Sequence, residues 1–475
     1  MHTCPLLVTQ RTGANTVTAM EPARKARPEA VPTKKTGWRR LRPPLADELS
    51  PEMRSILPVL FGAAWTLFSI WLAIPWADNL ANLVGTPLAW LTIGGIAIGP
   101  GAINSVLLSS LALERLPPIS PLPPGGRLPA VTVFVAAFNE AEHICETVQS
   151  VLGSQYPGEI FVIVADDGST DHTACCAEEM AREEVEVLRL PHGGKAKALN
   201  AALAACRTGL CATVDGDTRL GPLSLQALAR RHVDEGAVAT AGSVLSANPR
   251  VNLLTRVQAW DYYLGIAAVK RGQNYFGNAL VAQGSFSCYQ TDEVRIAGGW
   301  PSVSGEDIVL TWALIREGGT ISYEPSALAF TTTPTRLRAF YRQRSRWARG
   351  MVQGLNRHGA GMLARGKAFA YSVLVDYVLP WIDFALIVVM VPGVILALTG
   401  RFYVIGWLTF AVLLLNFVIL RFMAWKQDAV WDNAGLPRYR DPVGLFIYAV
   451  SFQALVAPAS LIGYWQAITR RKDRW

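Results

Sequence analysis

The chain has 475 residues, of which 51% are hydrophobic and only 17% charged, and its mean hydropathy is +0.25. That composition is too apolar for an ordinary soluble protein, and the apolar residues are gathered into long uncharged runs near both ends. The net charge of +8 does not mark a nucleic-acid binder, because no base-reading motif accompanies it.

Residues 1–54 hold ten Lys/Arg against five acids and read as a disordered basic tail on the cytoplasmic side. Met20 offers an alternative start. Two uncharged stretches, 56–76 and 88–112, each have about the 20 residues that a spanning helix needs, so residues 55–114 are expected to hold two transmembrane helices. The short loop between them carries Asp78 and no Lys or Arg. That places the loop outside and everything after residue 113 inside. Residues 115–130 form a Pro/Gly linker.

Residues 131–335 then read as an α/β unit. Short apolar runs at Val131–Ala136, Phe161–Ala165, Val185–Leu190 and Leu210–Val214 suit buried strands. Helical patterns lie between them at Ala141–Ser154, from a Thr170 cap to Glu184, and at Lys195–Arg207. The alternation predicts a largely parallel sheet covered on both faces. Residues 336–368 form amphipathic interface helices. Apolar stretches near 371–399, 403–423 and 444–466 give two or three further spans within 369–469. Asp376, Pro380 and Asp383 interrupt the first of these, and Pro458 is expected to break the last. The basic tail Arg470-Arg471-Lys472 places the end of the chain inside. Seven cysteines, among them Cys145, Cys175, Cys176, Cys206, Cys211 and Cys288, lack metal spacing and read as buried free thiols of a reducing compartment.

In open α/β sheets ligands bind at the carboxyl ends of strands. Four predicted strands lead into polar segments there: Ala137-Phe138-Asn139-Glu140, Asp166-Asp167-Gly168-Ser169-Thr170, His192-Gly193-Gly194-Lys195 and Asp215-Gly216-Asp217. Asp-Gly-Ser-Thr alone is a common turn. Asp215 and Asp217, however, directly follow an apolar strand, where two carboxylates are costly unless they bind a cation. Hard oxygen ligands suit Mg2+ or Mn2+ shared with phosphates, and Lys195 supplies a cationic contact. Glu306 and Asp307 open a helical run. Acids there need no function, yet transfer from a nucleotide diphosphate needs one carboxylate as general base, a role assigned to Asp307. Around residues 340–351 a basic amphipathic helix could simply lie on a membrane surface. Gln343 and Arg346 share a face beside Trp347, where Arg suits a diphosphate and Trp a sugar ring.

The ordered set Phe138-Asn139-Glu140, Asp166-Asp167-Gly168-Ser169, Gly194-Lys195, Asp215-Gly216-Asp217, Gly305-Glu306-Asp307 and Gln343-x-x-Arg346-Trp347 resembles the processive family-2 glycosyltransferases. These are the cellulose, chitin, hyaluronan and poly-N-acetylglucosamine synthases. The layout is nearest to the poly-β-1,6-N-acetylglucosamine synthase-like group, although many relatives have Thr where this chain has Gly305. The resemblance implies a GT-A domain inserted between transmembrane helices in a bacterial-type inner membrane, a UDP-sugar donor, a divalent metal and an inverting mechanism. By the same resemblance Ala137, Asn139, Glu140, Asp166, Asp167, Lys195 and Asp215 belong to the donor site. Asp217, with Asp215, would bind metal, and Asp307, with Glu306, would be catalytic. Gly284, Ser285, Gln343, Arg346 and Trp347 would hold the acceptor end and the diphosphate. The sugar would be N-acetylglucosamine or glucose, and the acceptor a growing polysaccharide whose export could be coupled to synthesis. The other acceptor to weigh is a lipid or lipid carrier. The reading leaves room for a small membrane partner subunit. A nicotinamide enzyme is excluded, since no G-x-G-x-x-G follows the first strand. A catalytically dead scaffold or transporter would lack the carboxylates.

Overall fold

The computed structural model describes residues 51–114, 126–277, 279–363 and 367–469. The basic tail before residue 51, most of the linker and the Arg470-Arg471-Lys472 end lie outside the described residues. Two apolar helices come first: α1 (Pro51–Val84) and α2 (Thr86–Leu113), the second passing through a π-helical turn at Gly94–Ile98.

The α/β unit follows as β1 (Val131–Ala137), α3 (Ile144–Leu152), β2 (Ile160–Asp166), α4 (Thr173–Glu178), β3 (Val185–Arg189), α5 (Lys195–Ala205), β4 (Leu210–Asp215), β5 (Thr218–Leu220), α6 (Ser224–Glu235) and β6 (Ala239–Ser246). A helical excursion then runs through α7 (Leu253–Trp260), a π-helical stretch (Asp261–Ala268) and α8 (Val269–Tyr275). It returns to β7 (Phe286–Gln290), α9 (Thr291–Ile296), α10 (Glu306–Arg316) and β8 (Ile321–Thr331). The eight strands form one sheet in the order β3-β2-β1-β4-β7-β6-β8-β5. Along β1, Val131, Val133, Val135 and Ala137 face one apolar core, and Phe134 faces the other. Both faces are covered, which is why the strand reads as a continuous apolar run.

The sheet is largely parallel, as predicted: six of its eight strands run the same way, with β6 and β8 in the sense of β4. β3, β2, β1 and β4 are parallel, but β7 runs antiparallel to both β4 and β6, and β5 antiparallel to β8. The chain enters β7 from a long excursion rather than a simple crossover, so nothing forces the parallel sense there. Thr170 is not a helix cap: its N–H donates to Asn139 Oδ1, and Asp171 Oδ1 accepts from Thr173 N (3.0 Å) at the start of α4. α4 stops at Glu178 and not near Glu184, because tight turns follow at Met180 and Ala181.

α11 (Leu337–Gly354) leads to α12 (Lys367–Ala385), which continues through a π-helical turn to Leu398, then to α13 (Trp407–Asn433) and α14 (Pro442–Ile468). Among the described residues four helical stretches are long and apolar enough to cross a membrane: Ile56–Val84, Thr86–Leu113, Ala370–Leu398 and Pro442–Ile468. Pro458 does not break α14, which stays continuous between α11 and α12. Asp383 does not break the Ala370–Leu398 stretch either. Its carboxylate accepts from Gln453 Nε2 (2.7 Å) and Tyr464 OH (2.8 Å), which satisfies it in apolar surroundings. The 403–423 run falls on α13, whose second half is bound to the α/β unit: Tyr263 OH donates to Asp428 (3.1 Å) and Gln427 to Tyr263 O (3.1 Å).

Candidate active site

The strand order reverses between β1 and β4, and a cleft at their carboxyl ends is where such sheets hold ligands. The rim is built by local hydrogen bonds. Asn139 sits at φ 56°, a left-handed conformation Asn tolerates. Its N–H donates to Ser169 Oγ (2.9 Å), and its Oδ1 accepts from Thr170 N (2.9 Å), tying the end of β1 to the end of β2. Asp166 is buried and accepts from Ser169 Oγ. Asp167 N donates to Ala137 O (2.9 Å), while the Asp167 carboxylate accepts from Gly193 N (2.8 Å) and Gly194 N (2.9 Å). Gly194 has φ 92°, which only glycine adopts readily, and that turn delivers Lys195 to the start of α5. Over this loop Phe138 stacks on His192, with ring centroids 4.5 Å apart.

The charged centre lies one strand further. The Lys195 ammonium is paired with the Asp215 carboxylate. Burial works against its charge, but Asp215, Glu306 and Asp307 together raise its pKa. Asp217 accepts from Thr331 Oγ1 (3.1 Å) and Thr218 Oγ1 (3.3 Å), and burial and Asp215 push its carboxyl up. Glu140 is pushed up to about 8, first by burial and then by Asp217 and Asp215. A Cβ at Gly216 would stand 3.2 Å from both Ala137 Cβ and Glu140 Cγ, so the glycine lets these strand ends close together.

α10 carries the second acidic pair. Asp307 Oδ2 accepts from Gly284 N (3.2 Å) and Oδ1 from Ile308 N (2.8 Å), in the first turn of the helix where a carboxylate is favoured. Glu306 is buried, and its carboxyl rises to about 7 because of burial and Asp307, with Lys195 and Arg346 opposing. A Cβ at Gly284 would lie 2.8 Å from Lys195 Nζ and 3.8 Å from Glu306 Oε1. Gly284 therefore marks the close approach of these groups, with the half-buried Ser285 beside it.

α11 brings the remaining set. Arg346 is exposed and acts electrostatically on Glu306. Gln343 Oε1 is buried with no hydrogen-bond partner among the described residues. Trp347 packs on Tyr262 at 6.2 Å, and the Tyr262 hydroxyl feels both Asp215 and Asp217. Glu140, Lys195, Asp215, Asp217, Gly284, Glu306, Asp307 and Arg346 thus lie within electrostatic or contact reach of one another, while Asn139, Asp166 and Asp167 spend their polar atoms on holding the loops.

Sequence reasoning missed Asp261, Tyr262, Lys270, Thr331 and Arg344. Lys270 is buried on α8, and burial lowers its ammonium to about 7 with Asp307 opposing. A signal existed for Asp261, a single acid inside the apolar run Val257–Ala268.

No group of three or more His, Cys, Asp or Glu side chains placed to hold a metal occurs among the described residues. The two carboxylates of Asp215 and Asp217 still fit a divalent cation whose other ligands are phosphate oxygens. Burial first, and then mutual repulsion among Glu140, Asp215 and Asp217, raises the carboxyls of Glu140 and Asp217, and a bound cation would offset the second of these. The six described cysteines are free.

Residues 129–350 match the sequence model of the family described as Glycosyltransferase like family 2. An N-acetylglucosaminyltransferase of Mesorhizobium japonicum is 31% identical over 250 residues, covering 50% of this chain and 59% of that protein. A poly-beta-1,6-N-acetyl-D-glucosamine synthase of Staphylococcus epidermidis is 28% identical over 262 residues, covering 52% of this chain and 61% of that protein. The chain thus spans about three fifths of the length of these curated relatives. Among solved structures, a mannosyltransferase of Pyrobaculum calidifontis in complex with GDP-Man and Mn2+ superposes with a TM-score of 0.53 at 18% identity. That superposition covers 89% of this chain and 100% of the other, a likeness of fold alone.

Proposed function

Residues 129–350 form a glycosyltransferase family 2 domain with a GT-A-like fold, and from that premise we propose that the protein is a membrane-bound inverting transferase that moves N-acetylglucosamine or glucose from a UDP-sugar to a growing polysaccharide at the cytoplasmic face. One observation carries this reading: Lys195, Asp215, Glu306 and Asp307 converge at Gly284, and Arg346 on α11 acts electrostatically on Glu306 there.

Ala137, Glu140 and the loop held by Asn139, Asp166 and Asp167 receive the uridine. Lys195 and Arg346 neutralise the diphosphate, and Gln343 and Trp347 hold the acceptor sugar. Asp215 and Asp217 would hold Mg2+ or Mn2+, which stabilises the leaving diphosphate when bound. Asp307 takes the proton of the acceptor hydroxyl as its oxygen attacks the anomeric carbon from the side opposite the diphosphate, which inverts that carbon. The negative charge of Asp307 is directed at the acceptor by the backbone N–H groups of Gly284 and Ile308. The polymer would leave past the apolar helices.

The test is purified full-length protein in nanodiscs with UDP-N-acetylglucosamine or UDP-glucose and Mg2+ or Mn2+, read by UDP release and product sizing. Long saccharide products with inverted linkages support the reading. Single-sugar glycolipids would replace the polysaccharide acceptor with a lipid one, and no UDP release from either donor would sink the donor assignment.

A further inference from the structure

Arg344 lies between Gln343 and Arg346 on α11, yet none of the steps above uses it. It is 7% exposed, and its Nη1 is 2.6 Å from Asp261 Oδ2. Its guanidinium carbon stands 4.4 Å from the ring centroid of Trp347, 5.2 Å from Phe340, 5.6 Å from Phe452 and 6.0 Å from Tyr262. Nε and Nη2 have no hydrogen-bond partner among the described residues. A guanidinium over an indole face is held by the ring quadrupole, so the aromatic cage takes the place of the missing acceptors.

Stability alone does not account for this arrangement. Burying two charges costs several kcal/mol per ion, and apolar packing of the same volume is often as good or better. What the pair does contribute is direction. The cage draws on three elements: Asp261 and Tyr262 from the π-helical stretch, Phe340 and Trp347 from α11, and Phe452 from the spanning-length helix α14. A Cβ at Gly265 would stand 2.5 Å from Asp261 Oδ1, so the glycine leaves room for that carboxylate. A Cβ at Gly463 would overlap Ser345 O and lie 2.9 Å from Ala348 Cβ, so α14 meets α11 backbone to backbone just beyond the cage.

We propose that Arg344 is a positioning residue: paired with Asp261 and caged by Tyr262, Phe340 and Phe452, it fixes the plane of the Trp347 ring as the acceptor platform and ties that platform to α14. This rests on the reading of Trp347 as an acceptor contact. Removing one partner of a buried pair can unfold a protein, so the decisive variant removes both charges: Asp261→Asn with Arg344→Met.

The full-length protein in nanodiscs is assayed with the UDP-sugar it turns over and a varied oligosaccharide acceptor. The double variant is expected to melt close to the wild type and to keep the donor KM within about twofold, while the acceptor KM rises about tenfold, the scale of a lost cation–π contact in a desolvated site. Arg344→Lys keeps the charge and should recover the acceptor KM to within about threefold. The near-UV dichroism assigned to Trp347 by a Trp347→Phe difference should change in the double variant and not in Arg344→Lys. A double variant with the wild-type acceptor KM and an unchanged Trp347 signal overturns the proposal. So does a joint rise of both KM values. If the wild type transfers no sugar at all, the proposed function fails, and the Trp347 signal then decides the positioning claim by itself.

Discussion

The two halves of the proposed site, donor and acceptor, are held in different ways. The donor half sits on parallel strand ends and is fixed by short-range bonds: Asn139 to Ser169 and Thr170, Asp167 to Gly193 and Gly194. The acceptor half is assembled from pieces far apart in the chain. Arg344 meets Asp261 and Phe452, and Gly305 meets Gly350 so closely that a Cβ on Gly350 would lie 2.6 Å from Gly305 Cα. The difference teaches where specificity can change. On this reading, strand-end loops specify the donor side almost locally, whereas the acceptor side depends on how α10, α11 and the apolar helices pack. Gly305 fits this view, since any side chain there would strike the backbone of α11.

Variants that strike one half and spare the other sharpen this contrast. Asp307→Asn removes the proposed base but leaves the strand-end loops alone. Turnover should fall by about 10^3, in the range general-base catalysis supplies, with UDP binding by calorimetry unchanged; near-normal turnover would refute the assignment. Asp217→Ala acts on the donor side. It should lower turnover about 100-fold and weaken donor binding in the presence of Mg2+ or Mn2+, because one of the two proposed cation ligands is gone. A chelator should have the same effect on the wild type, and an unchanged metal dependence in the variant would count against the role. Gly305→Ala perturbs the junction between α10 and α11. Overpacking there should cost about 1–3 kcal/mol, seen as a lower Tm, and should raise the acceptor KM more than the donor KM.

The placement of the proposed donor residues was legible in the sequence because each follows an apolar strand within a few positions. The acid pair Glu306 and Asp307, read as holding the base, was legible at the opening of α10. The role of Asp167 in shaping the Gly193-Gly194 loop was not, because the spacing of 26 residues between Asp167 and Gly193 gives no sign of a contact. The antiparallel β7 was missed since an apolar run carries no strand direction. Arg344 read as one more basic residue on an amphipathic helix. Its burial arises only when α14 and the π-helical stretch close over it, and a helical pattern on α11 alone cannot reveal the faces covered from elsewhere.

Glu306 offers the gentlest probe of the boundary between the halves. It is 7% exposed, and its carboxyl is raised from 4.5 to about 7 by burial and by Asp307. A carboxyl that resists ionisation when folded binds more protons than the unfolded chain between those values, so stability falls as pH rises from about 4.5 to about 7 and is flat above. Glu306→Gln removes that loss. Its Tm should exceed the wild type's by a few degrees at pH 8, a difference of no more than about 3 kcal/mol. At pH 5.5 the gap should fall to less than half of that, since the folded carboxyl is then protonated while the unfolded one is still ionised. An equal gap at both values would mean that the substitution acts through packing and not through the buried charge, and the electrostatic link from Lys195 across Glu306 to Arg346 would then have to be given up.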